Sequence, residues 1–249
     1  MGELGHVLAL VTGAGSGIGR AAALRLAAAG ARVLVHYNSS RDGAERTLAG
    51  LGEKGVGLLQ ADLCGWEAGS SAMQRALAEH PALNLLVANA GIYEPMPFLE
   101  AELTVAENWS RTLDINLMSA VGMAHAFARH RRGQGGKVIM VSSRAGHRGE
   151  AGAAAYAASK AAMINLVKSL AVELAAERIY VTAVAPGWTD TPMSQAEPAE
   201  KQEAAVQSIP FGRMATADEI GAIVAFLASR EADYLTGVTI DANGASYLR

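Results

Sequence analysis

The sequence predicts an α/β domain of the doubly wound kind, and three observations carry that prediction. Seven short apolar runs of strand length recur along the 249 residues, most of them hydrophobic without alternation. Continuous apolarity is what a parallel sheet covered on both faces requires. Longer stretches of helical character separate the runs, which is the strand–helix rhythm of parallel sheets. A glycine-rich turn follows the first run directly and leads into the first helix. The expected sheet is therefore seven-stranded and mostly parallel with helices on both faces, and residues 1–249 are expected to form one domain.

The strands are expected at "VLALV" (7–11), "RVLVHY" (32–37), "GVGLLQ" (55–60), "LNLLVAN" (83–89), "KVIMVSS" (137–143), "YVTAVAP" (180–186) and "GVTIDAN" (237–243). Helical stretches are expected at 18–29, 41–53, 68–80, 153–177 and 217–229. The stretch 153–177 is apolar on more than one face, which suits a helix buried between subunits. Residues 187–213 hold Pro192, Pro198 and Pro210 around a polar segment. They read as one long irregular insertion, the form of a substrate lid. No Pro/Gly/Ser-rich linker and no internal repeat divides the chain.

Composition excludes several function classes. A net charge of −3 argues against a nucleic-acid partner. Cys64 is the only cysteine, so neither an internal disulfide nor a cysteine metal cluster is available; it is expected as a buried small hydrophobe, and no metal is expected. The opening "MGELGHVLALVTG" has no basic region or cleavage site, and no stretch of eighteen residues is free of charge. A cytoplasmic protein without a membrane partner is expected.

The turn "TGAGSGIG" (12–19) lets the backbone approach a pyrophosphate, with a helix N-terminus behind it. Its pattern is T-G-x-x-x-G-x-G on Gly13, Gly17 and Gly19, because Ile18 occupies the third glycine slot of G-x-G-x-x-G. Farther along, "AAAYAASKAA" (153–162) puts Tyr156 and Lys160 four residues apart on one helix face. Alone, such a pair reads first as a half-buried tyrosine and a solvated lysine.

With "ANAG" (88–91), "DINL" (114–117), "VSS" (141–143), "YAASK" (156–160), "PGWTDT" (186–191) and "YLTGVTIDANG" (234–244) in order, the chain resembles the short-chain dehydrogenase/reductase family from about residue 7 onward. The resemblance implies a Rossmann fold and an oxidoreductase moving a hydride between a nicotinamide and a carbonyl or secondary alcohol. It implies catalytic roles for Tyr156 as proton donor, Lys160 beside it, Ser143 on the substrate oxygen and Asn116 as a relay through water. A tyrosine, ordinarily near pKa 10, is expected to come down toward neutrality here, helped by Lys160 and the oxidised nicotinamide; a shift of about three units is worth about 4 kcal/mol.

For the cofactor, the resemblance implies Gly13, Ser16, Gly17, Ile18 and Gly19 at the pyrophosphate, and Asn89, Ala90 and Gly91 as floor. It places Asp62 at the adenine, Tyr156 and Lys160 at the nicotinamide ribose, and Pro186, Gly187, Thr189 and Thr191 near the carboxamide. Thr191 is also readable as a helix cap, and Asp62 as an N-cap. At the end of the second strand, Tyr37 stands where NAD-specific proteins carry an acid. Asn38, Ser39, Ser40 and Arg41 then offer donors for a 2′-phosphate, so NADP is expected, with NAD admitted.

The nearest branch by resemblance is the 3-oxoacyl-carrier-protein reductases, which implies a substrate carried on acyl carrier protein or CoA, a role in fatty acid biosynthesis and a homotetramer. A dehydrogenase of a sugar, polyol or small secondary alcohol is the alternative, and a non-catalytic NADP-sensing regulator the third reading. The basic run 128–137 is either a carrier-protein dock or a helix C-terminus. Arg144 and Arg148 either meet a substrate phosphate or carboxylate or are surface arginines, and His147 shares that choice. Trp188, at the start of the lid, packs on cofactor, on substrate or on the lid itself.

Overall fold

In the computed structural model, which describes residues 4–248, each of the seven expected strands is present. They are β1 (Leu8–Val11), β2 (Arg32–Tyr37), β3 (Gly55–Gln60), β4 (Leu85–Ala88), β5 (Gly136–Val141), β6 (Ile179–Pro186) and β9 (Thr239–Ala242). They form one sheet in the order β3-β2-β1-β4-β5-β6-β9, and every pairing is parallel.

Alternate side chains of a strand point to opposite faces, and both faces are covered. Ala9, Val11, Val33, Val35, Leu85, Val87 and Ile139 pack under one layer of helices: α1 (Gly17–Ala28), α2 (Arg41–Leu51) and α9 (Ala217–Ala228). Leu8, Leu10, Leu34, Leu86, Val138 and Met140 pack under the other: α3 (Trp66–Glu79), α5 (Ser119–Arg131) and α6 (Ala154–Leu174). This double coverage is why the strands read as unbroken apolar runs.

Two regions differ from expectation. Residues 102–131, unassigned in the sequence, are helical throughout: α4 (Glu102–Leu113), a π turn (Asp114–Met118) and α5. Helix α4 buries only Asn108 and Thr112 and starts at Ala101 without a side-chain cap, so no capping residue announces it. The second region is 187–213, which is not irregular. It holds a short strand β7 (Thr189–Asp190), paired in parallel with β8 (Ala215–Thr216), and two helices, α7 (Pro192–Gln195) and α8 (Ala199–Gln207). Two of the three prolines open helices: Pro192 is the first residue of α7 behind the capping box of Thr191 and Ser194, and Pro198 is the N-cap of α8.

The basic run closes a helix. Arg129, His130 and Arg131 form the last turn of α5, Arg131 Nε donates to Gly135 O at 2.7 Å, and Arg132 pairs with Glu177 at 3.4 Å. Among the described residues no helix is long and apolar enough to cross a membrane. The chain leaves β3 and returns to β4 on the far side of β1, so the strand order reverses between β1 and β4. In doubly wound sheets the crevice outside the carboxyl ends of such strands is where ligands bind.

Candidate active site

A cleft of about 330 Å³ opens at that crevice. Its first wall is the glycine turn, with Gly13, Ser16, Gly17 and Ile18; Asn89, Ala90 and Gly91 are its floor. Ser143, Tyr156 and Lys160 form the opposite wall, and Pro186, Gly187, Thr189 and Thr191 close it above. Gly19 and Asn116 stand behind this lining. Tyr37, Asn38, Ser39, Ser40, Arg41 and Asp62 lie at the carboxyl ends of β2 and β3, beyond it.

The glycine turn is shaped for close approach. Gly17 has φ +51°, and a Cβ there would sit 3.3 Å from the Thr191 methyl; a Cβ on Gly19 would lie 2.3 Å from Gly13 O. Ser16 is the N-cap of α1 but makes no side-chain capping bond, and the first turn of α1 carries no acid. Unused N–H groups and a positive helix end thus face the cleft, and these residues fit the pyrophosphate of a dinucleotide.

Thr12 and His36 hold the turn from behind. Thr12 Oγ1 accepts from the N–H of Asn89 and of Ala90, both at 2.9 Å, while Asn89 Nδ2 donates to Thr12 O at 2.9 Å. The Gly13 N–H donates to His36 Nδ1 at 3.1 Å. The ring proton therefore sits on Nε2, which donates to Ala61 O at 3.1 Å. Burial pushes the His36 pKa down to about 4. No sequence motif marks His36 as part of the site.

On the opposite wall, Ser143 ends the extended segment after β5, and its Oγ accepts from the Ala145 N–H at 3.1 Å. Tyr156 and Lys160 share a face of α6, with Lys160 Nζ 5.7 Å from the phenol ring centroid. Lys160 is 4% exposed, donates to Val141 O at 2.9 Å, and burial lowers its pKa to about 8. Burial pushes the Tyr156 pKa up to about 12, with Glu150 adding to it and a hydrogen bond to Ser143 opposing; the lowering expected beside an oxidised nicotinamide concerns the loaded site. In this state the phenol is held protonated. Neighbouring Ser142 is structural, donating to Lys160 O at 2.9 Å.

Asn116 is fully buried in the π turn, and its side-chain amide is committed. Oδ1 accepts from Ile92 N at 2.7 Å; Nδ2 donates to Ile92 O at 3.0 Å and Ser159 Oγ at 3.3 Å. A Cβ on Gly91 would come within 3.0 Å of Asn116 Oδ1 and 3.6 Å of Lys160 Nζ, so the glycine leaves room where floor and wall meet.

Several expectations are corrected or sharpened. Cys64 is exposed, because Leu63 takes the inward position of an extended segment and turns its neighbours out. Asp62 does not cap α3, whose N-cap is Gly65; it accepts from Asn38 Nδ2 at 3.4 Å. Tyr37 is buried in the apolar core. Ser40 is the N-cap of α2 and makes no side-chain cap bond. Arg41 is exposed and holds Glu45 at 2.8 Å. Thr191 does cap α7, while its methyl group meets Gly17. Arg148 is exposed, but His147 is 3.2 Å from Asp241 and stacks on Tyr247.

Beyond Tyr156 the cleft is lined by side chains that no motif names: Tyr93, Glu150, Met193 and Glu197, with Trp188 and Arg144. The Tyr93 ring meets Tyr156 edge-on at 5.1 Å. Its hydroxyl donates to Glu150 Oε1 at 3.4 Å and accepts from Lys201 Nζ at 2.9 Å. Lys201 also pairs with Glu197 at 2.5 Å and lies over the Trp188 ring, which fastens α8 to the floor. Their only sequence signal is placement: Tyr93 follows "ANAG" by two residues, and Glu150 lies between Ser143 and Tyr156.

Comparison with known proteins agrees with this geometry. A family model described as enoyl-(acyl carrier protein) reductase matches residues 13–244. The cis-4-hydroxycyclohexanecarboxylate dehydrogenase of Sinomonas cyclohexanicum is 38% identical over 247 residues, covering 98% of each chain. The 3-oxoacyl-(acyl-carrier-protein) reductase of Escherichia coli is 38% identical over 242 residues, covering 97% of each. A short-chain dehydrogenase from Burkholderia cenocepacia, solved in complex with NADP, superposes with a TM-score of 0.90 at 33% identity, covering 98% of this chain and 99% of the other.

Proposed function

The chain belongs to the short-chain dehydrogenase/reductase family, and on that premise we propose that it is an NADP(H)-dependent oxidoreductase interconverting a carbonyl and a secondary alcohol. The observation that carries the proposal is the convergence of Ser143, Tyr156 and Lys160 on one cleft wall, opposite a glycine turn shaped for a pyrophosphate.

Gly13, Ser16, Gly17 and Ile18 would hold a dinucleotide by its pyrophosphate, and when bound it would supply the hydride chemistry at the carbonyl carbon. The chain's residues handle the oxygen. Ser143 donates a hydrogen bond to it, and Tyr156 gives the proton that completes the alcohol. A phenol held protonated at neutral pH is suited to that direction. Lys160, poised near pH 8, stabilises the resulting tyrosinate and returns a proton toward it. Asn116 has no free side-chain group to offer, so its part in the relay falls to the backbone of the π turn. Residues 187–213 act as the lid, with Lys201 fastening it through Tyr93 and Glu197.

Tyr37 in place of an acid, with Asn38, Ser39, Ser40 and Arg41 exposed beside it, favours a 2′-phosphate and hence NADP, as in the Burkholderia neighbour. Two substrate classes fit. Likeness to the Escherichia coli reductase favours a 3-oxoacyl thioester on a carrier protein or CoA, and with it fatty acid biosynthesis. The polar wall of Arg144, Glu150 and Tyr93 favours a small ketone or alcohol instead. Exposed apolar side chains such as Leu99, Leu103 and Val172 favour assembly into a homotetramer. A cytoplasmic location accompanies this reading.

The deciding experiment follows NADPH consumption with acetoacetyl-CoA and with a panel of small ketones, beside NADH and a Tyr156→Phe control. Tyrosine-dependent turnover preferring NADPH is expected. Turnover that survives Tyr156→Phe, or none with any carbonyl, removes the proposal.

A further inference from the structure

Among the described residues Arg144 is the only buried arginine, at 5% exposure, and it lines the cleft next to Ser143. The exposed arginines Arg25, Arg41, Arg111 and Arg213 each hold a carboxylate. Arg144 holds none: among the described residues no carboxylate lies within ion-pair distance, and its one hydrogen bond is from Nη1 to Ser246 Oγ at 2.7 Å. Ser246 is neutral, and its own proton goes to Asn243 O at 2.7 Å. The nearby charges that act on Arg144 are Arg148, which opposes its positive form, and Glu150, which favours it without pairing. A guanidinium withdrawn from water and left without a counter-charge is costly unless something else supplies one.

We infer that Arg144 is the anion subsite of the substrate pocket, and that the substrate is a small oxo acid or hydroxy acid whose carboxylate pairs with this guanidinium. Placement sets the class. Arg144 follows Ser143 immediately and lines the same cleft, an arrangement that suits an anion only a few bonds from the reacting carbonyl. A carboxylate on a short chain or a small ring meets that spacing, and a planar guanidinium can take it with two parallel hydrogen bonds. The phosphates of a CoA or carrier-protein arm lie many bonds from their thioester and do not. Glu150, engaged by Tyr93, repels the acid end and so directs it to Arg144. The inference rests on the carbonyl reductase reading and selects the small-substrate class within it.

The test uses the full chain with two readouts. Calorimetry in the presence of NADP measures binding of 4-hydroxycyclohexanecarboxylate and 3-hydroxybutyrate against their methyl esters. Kinetics with NADPH compares the corresponding oxo acids, their methyl esters and acetoacetyl-CoA. The wild type is expected to prefer each acid over its ester at least about tenfold, a difference of about 1.4 kcal/mol. Arg144→Met is expected to erase that preference, Arg144→Lys to retain part of it, and Ser246→Ala to keep it. The ratio is internal to each variant, so a general loss of folded protein does not mimic it. Equal binding of acid and ester by the wild type overturns the subsite even if ketones are reduced. A preference unchanged in Arg144→Met overturns it as well. A loss in that variant confined to acetoacetyl-CoA assigns Arg144 to a phosphate and overturns the carboxylate. Acid-selective binding without turnover of any carbonyl upholds the subsite and removes the reductase reading instead.

Discussion

His36 and Gly13 are joined by a hydrogen bond of 3.1 Å from the glycine N–H to Nδ1, which ties the first residue of the phosphate-facing turn to a neutral imidazole buried in β2. Protonating the ring puts a second N–H where this acceptor stands. Burial holds the folded pKa near 4 against an ordinary 6.5, so between those values the unfolded chain takes up a proton that the folded chain refuses. This contribution is therefore complete above pH 6.5 and is lost as the pH falls toward 4, by about 3 kcal/mol in all. Urea unfolding across that range is expected to show the slope in the wild type and not in His36→Phe. The same variant orphans the Gly13 N–H, at about 1–3 kcal/mol, and is expected to weaken NADPH about tenfold. Parallel slopes, or unchanged cofactor affinity, would show that the ring only fills space.

Tyr156→Phe removes the proposed proton donor and keeps the edge-on contact with Tyr93. Reduction is expected to slow about 10³-fold, within the range of general acid catalysis, with the NADPH dissociation constant unchanged. In the wild type, kcat/KM for reduction is expected to be flat through neutrality and to decline above about pH 8, where Lys160 loses its proton. A pH–rate profile breaking nearer 12 would instead place the controlling group at the phenol.

Lys160 shows what the site costs the fold. Its pKa near 8, against an ordinary 10.5, means that burial penalises the ammonium throughout the neutral range. The unfolded chain keeps the proton more tightly, so stability rises as the pH climbs from 8 toward 10.5. Lys160→Met relieves the buried charge but leaves Val141 O without its donor. A net gain of about 1 kcal/mol, or about 3 °C in the unfolding temperature, is expected. The gain should come with loss of turnover. Calorimetry showing a lower unfolding temperature would mean that the ammonium supports the fold.

The parts legible in the sequence are those with a local cause. A strand covered on both faces must be apolar at every position, so each strand of the sheet stands out, and the glycine turn is visible because Gly17 takes a positive φ and Gly19 leaves no room for a Cβ. Tyr156, Lys160 and Ser143 are found through the family resemblance, the helical spacing of the first two being compatible with it, and all three line one cleft. What escaped depends on distant contacts. His36 sits in a strand where any buried residue suffices, and only the fold brings Gly13 to it. Tyr93, Glu150 and Lys201 come from three separate segments and meet over Tyr156. The tyrosine's raised pKa is likewise a tertiary effect, since helical spacing to Lys160 says nothing about burial. In 187–213 the short helices α7 and α8 open at Pro192 and behind Pro198, within a polar segment that carries no apolar period to announce them.

Arg41 and Glu45 form an i,i+4 pair of 2.8 Å on α2, directly after the exposed Asn38, Ser39 and Ser40. If Arg41 takes the 2′-phosphate as proposed, Glu45 competes with that phosphate for its guanidinium. Arg41→Glu is expected to raise the KM for NADPH by about 10–100-fold, because a carboxylate at the helix N-terminus repels the 2′-phosphate, while NADH changes little. Glu45→Gln frees Arg41 and is expected to lower the KM for NADPH severalfold, again sparing NADH. Both groups are exposed, so both effects should shrink as salt is raised from low ionic strength to about 1 M. Steady-state titration of the two cofactors at two salt concentrations checks all three expectations together. Equal effects on NADPH and NADH would remove Arg41 from the phosphate site and leave Asn38, Ser39 and Ser40 as its donors.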